Sequence, residues 1–239
     1  MTNLIAPPSE AAPGVGRTYK YFDLIMAAFV AVLLCSNLIG VSKVTTVGGF
    51  TFGAGNIFFP ISYLFGDVLT EVYGYARSRR VVWAGFAALA YASVIAFIVV
   101  NLPPAAGWEG QEHLAAVFGS TWRTAMASLA GYACGEFGNS YTLAKLKVRT
   151  GGKLLFVRTI GSTVVGEAID TLVFYPLAFY GVWSNELLLK VMGANYVVKV
   201  LWEIFMTPVT YRVVAFLKRK EHEDYFDRDT NFTPFSLKT

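Results

Sequence analysis

Long apolar stretches separated by short polar ones dominate this chain, and their length of roughly 20 residues is that of a helix crossing a bilayer. They run over 21–41, 57–75, 81–102, 122–143, 159–179 and 196–216, which predicts an all-α integral membrane protein with six transmembrane helices. The pattern changes between the first two. Val44-Thr-Thr-Val47, Gly48-Gly49 and Phe50-Thr51-Phe52 read as strand, tight turn and strand, a small outer β-hairpin rather than another span. The expected division is a cytoplasmic N-terminal segment over 1–20, a transmembrane domain over 21–218 and a cytoplasmic C-terminal tail over 219–239.

Composition agrees with that division: 55% of residues are hydrophobic and 15% charged, less charge than a soluble domain of this size carries. Charge then orients the helices. Arg17 and Lys20, the Arg77, Arg79 and Arg80 group, Lys145 to Lys153, and Lys218 to Lys220 fall at one set of helix ends, and the alternate loops hold almost no base. The positive-inside rule therefore places both termini in the cytoplasm, and the net charge of +4 reflects topology. Bases dispersed among membrane exits do not make a nucleic-acid patch. Residues 1–16 lack the basic, apolar, small-residue progression of a cleaved leader, so the first apolar run reads as a retained helix. Cys35 and Cys134 lie in apolar runs and His113 and His222 stand apart, so no metal site, cofactor or catalytic residue is expected.

Carboxylates inside the apolar runs are the chief functional signal. Asp67 and Glu71 share one face of the second predicted helix, and Glu167 and Asp170 share one face of the fifth. Each acid at a span centre costs about 2.5 to 3.5 kcal/mol on insertion scales, so a polar cavity for a substrate or ion is expected around them. Glu136 and Asn139 on the fourth helix, Asn37 on the first, and Lys199 with Glu203 on the sixth add further polar groups, with Tyr63 beside the acids as a stacking surface. Acids outnumber the one deep base, Lys199, unless an arginine turns inward. Some must then be protonated, touch water or meet a donor-rich ligand.

Plainer readings compete at several positions. Lys199 and Glu203 have the spacing of a helix-internal ion pair, Asn37 and Asn139 suit interhelical hydrogen bonds, and Arg158 and Arg212 suit snorkelling at the cytoplasmic face. A faint repeat sets Asn37 and Lys43 against Asn139 and Lys145, and Gly66-Asp67 against Gly166-Glu167. Three spans repeated once reverse direction, so the halves would form an inverted 3+3 pair with the site between them.

Three segments carry a resemblance. Phe59-Pro-Ile-Ser-Tyr-Leu-Phe-Gly-Asp-Val-Leu-Thr-Glu-Val-Tyr-Gly74, Gly135-Glu-Phe-Gly-Asn-Ser140 and Arg158-Thr-Ile-Gly-Ser-Thr-Val-Val-Gly-Glu-Ala-Ile-Asp170, with Asp229-Thr-Asn-Phe-Thr-Pro-Phe235 in the tail, resemble the bacterial queuosine precursor transporter family, also called the vitamin uptake transporter family. The resemblance implies a multi-pass inner-membrane importer of small 7-deazaguanine compounds, the cyano and aminomethyl precursors of the tRNA base queuosine. Such a ring offers a ring N–H and an exocyclic amine side by side, which one carboxylate can accept together. The expected clamp is Asp67 or Glu71 facing Glu167 or Asp170, with Glu136 and Asn139 on the inner approach.

No Gly-x-x-x-x-Gly-Lys-Ser/Thr sequence is present, so the expected process is facilitated or proton-coupled exchange of conformations. Two other readings stay open: a substrate-binding membrane subunit driven by a separate ATP-hydrolysing module, with Ala27, Ala28 and Ala31 as its docking face, and an intramembrane enzyme with an Asp67–Asp170 dyad. Small-residue faces also permit a homodimer.

Overall fold

The structure is a computed structural model that describes residues 18–39, 44–47, 50–119 and 122–236. Among the described residues seven α-helices follow in order: α1 (Phe22–Leu38), α2 (Phe59–Tyr73), α3 (Tyr75–Asn101), α4 (Gln111–Phe118), α5 (Trp122–Thr150), α6 (Leu155–Phe179) and α7 (Asn185–Glu221). Six of them match the predicted helices, and the short α4 lies in a connection read as loop. Strands β1 (Val44–Val47) and β2 (Phe50–Gly53) pair antiparallel, Val44 opposite Gly53 and Val47 opposite Phe50. The expected Gly48-Gly49 turn, Lys43 and most of the N-terminal segment lie outside the described residues.

Local chemistry explains the boundaries. Pro60 sits in the first turn of α2, where its missing N–H breaks no helical bond. At the other end Gly74, with φ of 86°, is the single residue between α2 and α3. A side chain there would also strike the Tyr225 ring. Gly151 and Gly152 have positive φ and turn the chain from α5 into α6.

Two boundaries differ from expectation in a way that matters. Helix α5 continues past 143 to Thr150, carrying Lys147 into the interior, and α7 starts at Asn185, within a stretch read as a loop. Periodicity could not set either limit, because charged residues continue a helix as readily as they leave a membrane.

The α5 and α6 backbones approach closely through glycine. A Cβ on Gly135 would stand 2.6 Å from the Tyr63 hydroxyl and 3.0 Å from the Gly166 carbonyl, and one on Gly166 would stand 2.7 Å from the Asn139 Cβ. Gly66 and Gly166, equivalent in the expected repeat, both pack on α5, so the inverted repeat receives no support from this contact.

An apolar cluster of Phe29, Leu33, Val68, Leu69, Val72, Val82 and Tyr132 ties α1, α2, α3 and α5 together. By length and composition α3 and α7 alone, among the described helices, qualify as membrane spans, with α1 a shorter apolar helix. The exposed apolar residues on α3, from Tyr91 to Val99, and on α7, from Val197 to Phe205, form the kind of surface a bilayer covers. Helices α2, α5 and α6 instead bury Asp67 and Glu71, Glu136 and Asn139, and Glu167 and Asp170.

A buried acidic site beside a charged latch

On α6 the residues Thr159, Ser162, Thr163, Gly166, Glu167 and Asp170 recur at helical spacing and are buried, so its inner face is polar or bare. Helix α2 brings Tyr63 and Asp67 to this face, α5 brings Glu136 and Asn139, and α7 brings Lys199 and Glu203, all buried. Asn139 donates from Nδ2 to Asp67 Oδ1 at 2.7 Å, and the Ser162 hydroxyl approaches the same oxygen at 3.5 Å. Glu136 packs its Oε1 over Gly66, where any Cβ would collide with it.

Charge pairing within this group is uneven. Lys199 donates to Glu167 Oε2 at 2.8 Å and to Asp170 Oδ2 at 2.7 Å, and its ammonium lies 4.5 Å from the Phe59 ring centre. Of the two readings its spacing left open, the helix-internal pair with Glu203 does not form, because α6 presents two carboxylates across the helix interface. Asp67 Oδ2, both oxygens of Glu136, both of Glu203, Glu167 Oε1 and Asn139 Oδ1 meet no donor among the described residues. The hydroxyls of Tyr63, Thr163 and Thr171 are likewise unpaired. An unpaired buried polar group costs about 1 to 3 kcal/mol, more when charged, so this many in one place implies a task other than stability.

Glu71, one turn along α2 from Asp67, belongs to a different assembly. Arg158 donates from Nε to Oε2 at 3.1 Å and from Nη2 to Oε1 at 2.6 Å, and Lys218 donates to Oε1 at 2.7 Å. Lys147 bonds the Glu71 carbonyl at 2.5 Å, Asp224 Oδ1 at 2.6 Å and the Tyr225 carbonyl at 2.7 Å. Arg158 therefore does not snorkel: only 1% of it is exposed, and it closes an ion-pair network. We call this network the latch.

The C-terminal segment is strapped over the latch. Tyr225 N–H donates to the Val72 carbonyl at 3.2 Å, Asp227 receives the Tyr75 N–H at 3.0 and 3.1 Å, Arg79 holds the Asn231 and Thr233 carbonyls at 2.7 Å, and Trp83 donates to the Pro234 carbonyl at 2.8 Å. Burial opposes charge on Asp224, but hydrogen bonds and attraction from Lys147 and Lys218 outweigh it and hold its pKa below the usual value.

Asn37 stands elsewhere. It donates to the Leu33 carbonyl at 2.9 Å and accepts from Ser128 at 3.0 Å, an α1 to α5 bond on the wall of a cavity of about 740 Å³ lined by α1, α3, α4 and α5. None of the acids lines that cavity. The structure thus brings together Tyr63, Asp67, Glu136, Asn139, Glu167, Asp170, Lys199 and Glu203, and separates Glu71 and Asn37 from them. Sequence reasoning missed Ser162, Thr163 and the latch partners Lys147 and Lys218. The polar stripe of α6 was the available signal for the first two.

Residues 53–213 match the family described as "Putative vitamin uptake transporter". The chain belongs to that family. It is therefore a membrane protein of a transporter family, and the matched span contains every acid of the site while Lys218 and Asp224 of the latch fall beyond it. The transporter is 28% identical over 189 residues to the "Probable queuosine precursor transporter" of Bacillus subtilis, covering 79% of this chain and 82% of that one. It is 25% identical over 211 residues to the "Queuosine precursor transporter" of Escherichia coli, covering 87% and 92%. A Haemophilus influenzae "Probable queuosine precursor transporter" is 26% identical over 143 residues, 58% of each chain. No solved structure matches.

Proposed function

We propose that this chain imports 7-deazaguanine precursors of queuosine across a bacterial inner membrane, with both termini in the cytoplasm, and performs no chemistry on them. The observation that carries the reading is the surplus of unpaired acceptors where α2, α5, α6 and α7 meet. A guanine-like ring supplies what they lack, since its ring N–H and exocyclic amine lie side by side and fit one carboxylate. Asp67 and Glu136 are the acceptors for that edge, and the Tyr63 and Thr163 hydroxyls are free to donate to the ring carbonyl. Glu71 is left out of the clamp because three basic groups already surround it. That the Bacillus subtilis and Escherichia coli relatives are named as queuosine precursor transporters supports the same reading.

Transport follows if the latch and strap close one end of the bundle while the site empties to the other. Glu203 and Glu136, acids with no fixed counter-charge, supply a physical route for proton coupling. The test is equilibrium binding of the cyano and aminomethyl compounds to purified protein, followed by uptake into liposomes containing this chain alone. Asp67→Asn and Glu136→Gln should each weaken binding by about ten- to a hundredfold, the worth of a charge-assisted hydrogen bond. Wild-type protein that binds neither compound overturns the reading, and binding without uptake by the lone chain points to a separate driving module.

A further inference from the structure

Lys199 is the one base among the acids of the site in the described residues, and it is fully committed: both α6 carboxylates pair with it, and its ammonium rests against Phe59. Two populations of carboxylate therefore lie buried where α2, α5, α6 and α7 meet. Asp67, Glu136 and Glu203 pair with no base among the described residues, whereas Glu167, which keeps Oε1 unpaired, and Asp170 each hold one oxygen on a tethered primary ammonium. Glu136 follows Gly135, where a Cβ would stand 2.6 Å from the Tyr63 hydroxyl and 2.8 Å from the Asp170 Cβ, so the two populations meet at this turn of α5.

We infer that Lys199 occupies the position a cationic substituent of the ligand would take, and so sets how the transporter discriminates between neutral and positively charged versions of the same ring. The inference rests on the proposed function. The Lys199 side chain ends in the same group as a ligand aminomethyl arm, a primary ammonium donating to carboxylates. With Lys199 in place, a ligand ammonium can reach the Glu167 and Asp170 pair only by displacing it, while a nitrile arm needs no charge partner. Without Lys199, Glu167 and Asp170 are left as two buried uncompensated acids, a strong demand for a ligand cation. Removing Asp170 acts in the opposite sense, because Lys199 then carries charge that Glu167 alone balances. The net charge of this triad thus tunes which arm is accepted without altering the edge that Asp67 and Glu136 read.

The experiment is equilibrium binding of the aminomethyl and cyano compounds to purified full-length wild type, Lys199→Gln, Asp170→Asn and the double variant. Lys199→Gln should shift the ratio of the two affinities toward the aminomethyl compound by about ten- to a hundredfold. Asp170→Asn should shift it toward the cyano compound, and the double variant should fall between. If Lys199→Gln fails to purify as a folded species, the shift in Asp170→Asn decides alone. Equal loss of both affinities in either single variant marks the triad as purely structural and overturns the inference while leaving the transport reading intact. Wild-type protein that binds neither compound instead overturns the transport reading.

Discussion

Two carboxylates one helical turn apart on α2 should respond in opposite ways to neutralisation. Glu71→Gln removes a negative charge that faces Arg158, Lys218 and, at 3.7 Å, Lys147. Without it the latch retains three bases and only Asp224, which is itself partly exposed. Leaving one side of a buried ion pair unmatched costs about 3 to 5 kcal/mol. For a chain of this length each kcal/mol lowers Tm by about 2 to 4 °C, which gives a fall of roughly 6 to 20 °C.

Asp67→Asn begins from a different state. Asp67 Oδ2 has no donor among the described residues, and the bond from Asn139 goes to the other oxygen, which an asparagine can keep. Removing the charge relieves desolvation and forfeits no ion pair, so Tm should stay at or above that of wild type while ligand binding falls. Melting of detergent-purified protein by intrinsic fluorescence separates the two cases, and binding of the cyano compound reads the loss expected of Asp67→Asn. A Glu71→Gln protein melting within about 3 °C of wild type would refute the latch. An Asp67→Asn protein as destabilised as Glu71→Gln would refute the division of α2 into a binding half and a structural half.

Asp227→Ala should free the Tyr75 N–H and loosen the strap by about 1 to 3 kcal/mol, read as faster proteolytic cleavage within 222–236. Gly135→Leu should prevent the close approach of α5 to α6 and abolish the monodisperse peak on size-exclusion chromatography, because its Cβ alone meets the Tyr63 hydroxyl at 2.6 Å and the Asp170 Cβ at 2.8 Å. The depressed pKa of Asp224 means its contribution to strap docking is present above the ordinary carboxylate value of about 3.9 and lost as pH falls through its lower folded value. Protection factors of the C-terminal segment, with the intrinsic exchange rate divided out, should therefore carry a component that is lost below about pH 4 in wild type and absent from an Asp224→Asn protein, while Asp227, whose pKa burial raises, acts in the opposite sense.

Much of the helix order was legible because apolar runs of about 20 residues have few alternatives. The acids of the site were legible for the same reason, since Asp67, Glu136, Glu167 and Asp170 interrupt such runs at positions no loop can explain. Their division of labour was not. Whether Lys199 turns to Glu203 on its own helix or to Glu167 and Asp170 on α6 depends on how α6 and α7 are rotated against each other, which helical spacing leaves undetermined. Arg158 was read as an interfacial arginine because it lies near the start of α6. Its partner Glu71 is 87 residues away, and a contact so distant leaves no periodic trace in one sequence. The tail hid for a similar reason: its bonds to α2 and α3 run mostly through backbone carbonyls, which any sequence possesses.

Site and latch are mechanically joined because both are carried by α2, a helix of 15 residues with twelve of them buried. Asp67 faces the acids of α5 and α7, Glu71 faces the bases of α5, α6 and α7, and Gly74 ends the helix against Tyr225 of the strap. A shift of α2 that tightens donors around Asp67 must also alter the distances from Glu71 to Arg158 and Lys218, since one helical turn is a rigid spacer of about 6 Å. A ligand that moves Asp67 must therefore also move Glu71 and its partners in the latch. Glu71→Gln, which weakens the latch, should accordingly change ligand affinity as well as stability, although Glu71 has no free oxygen to offer a ligand.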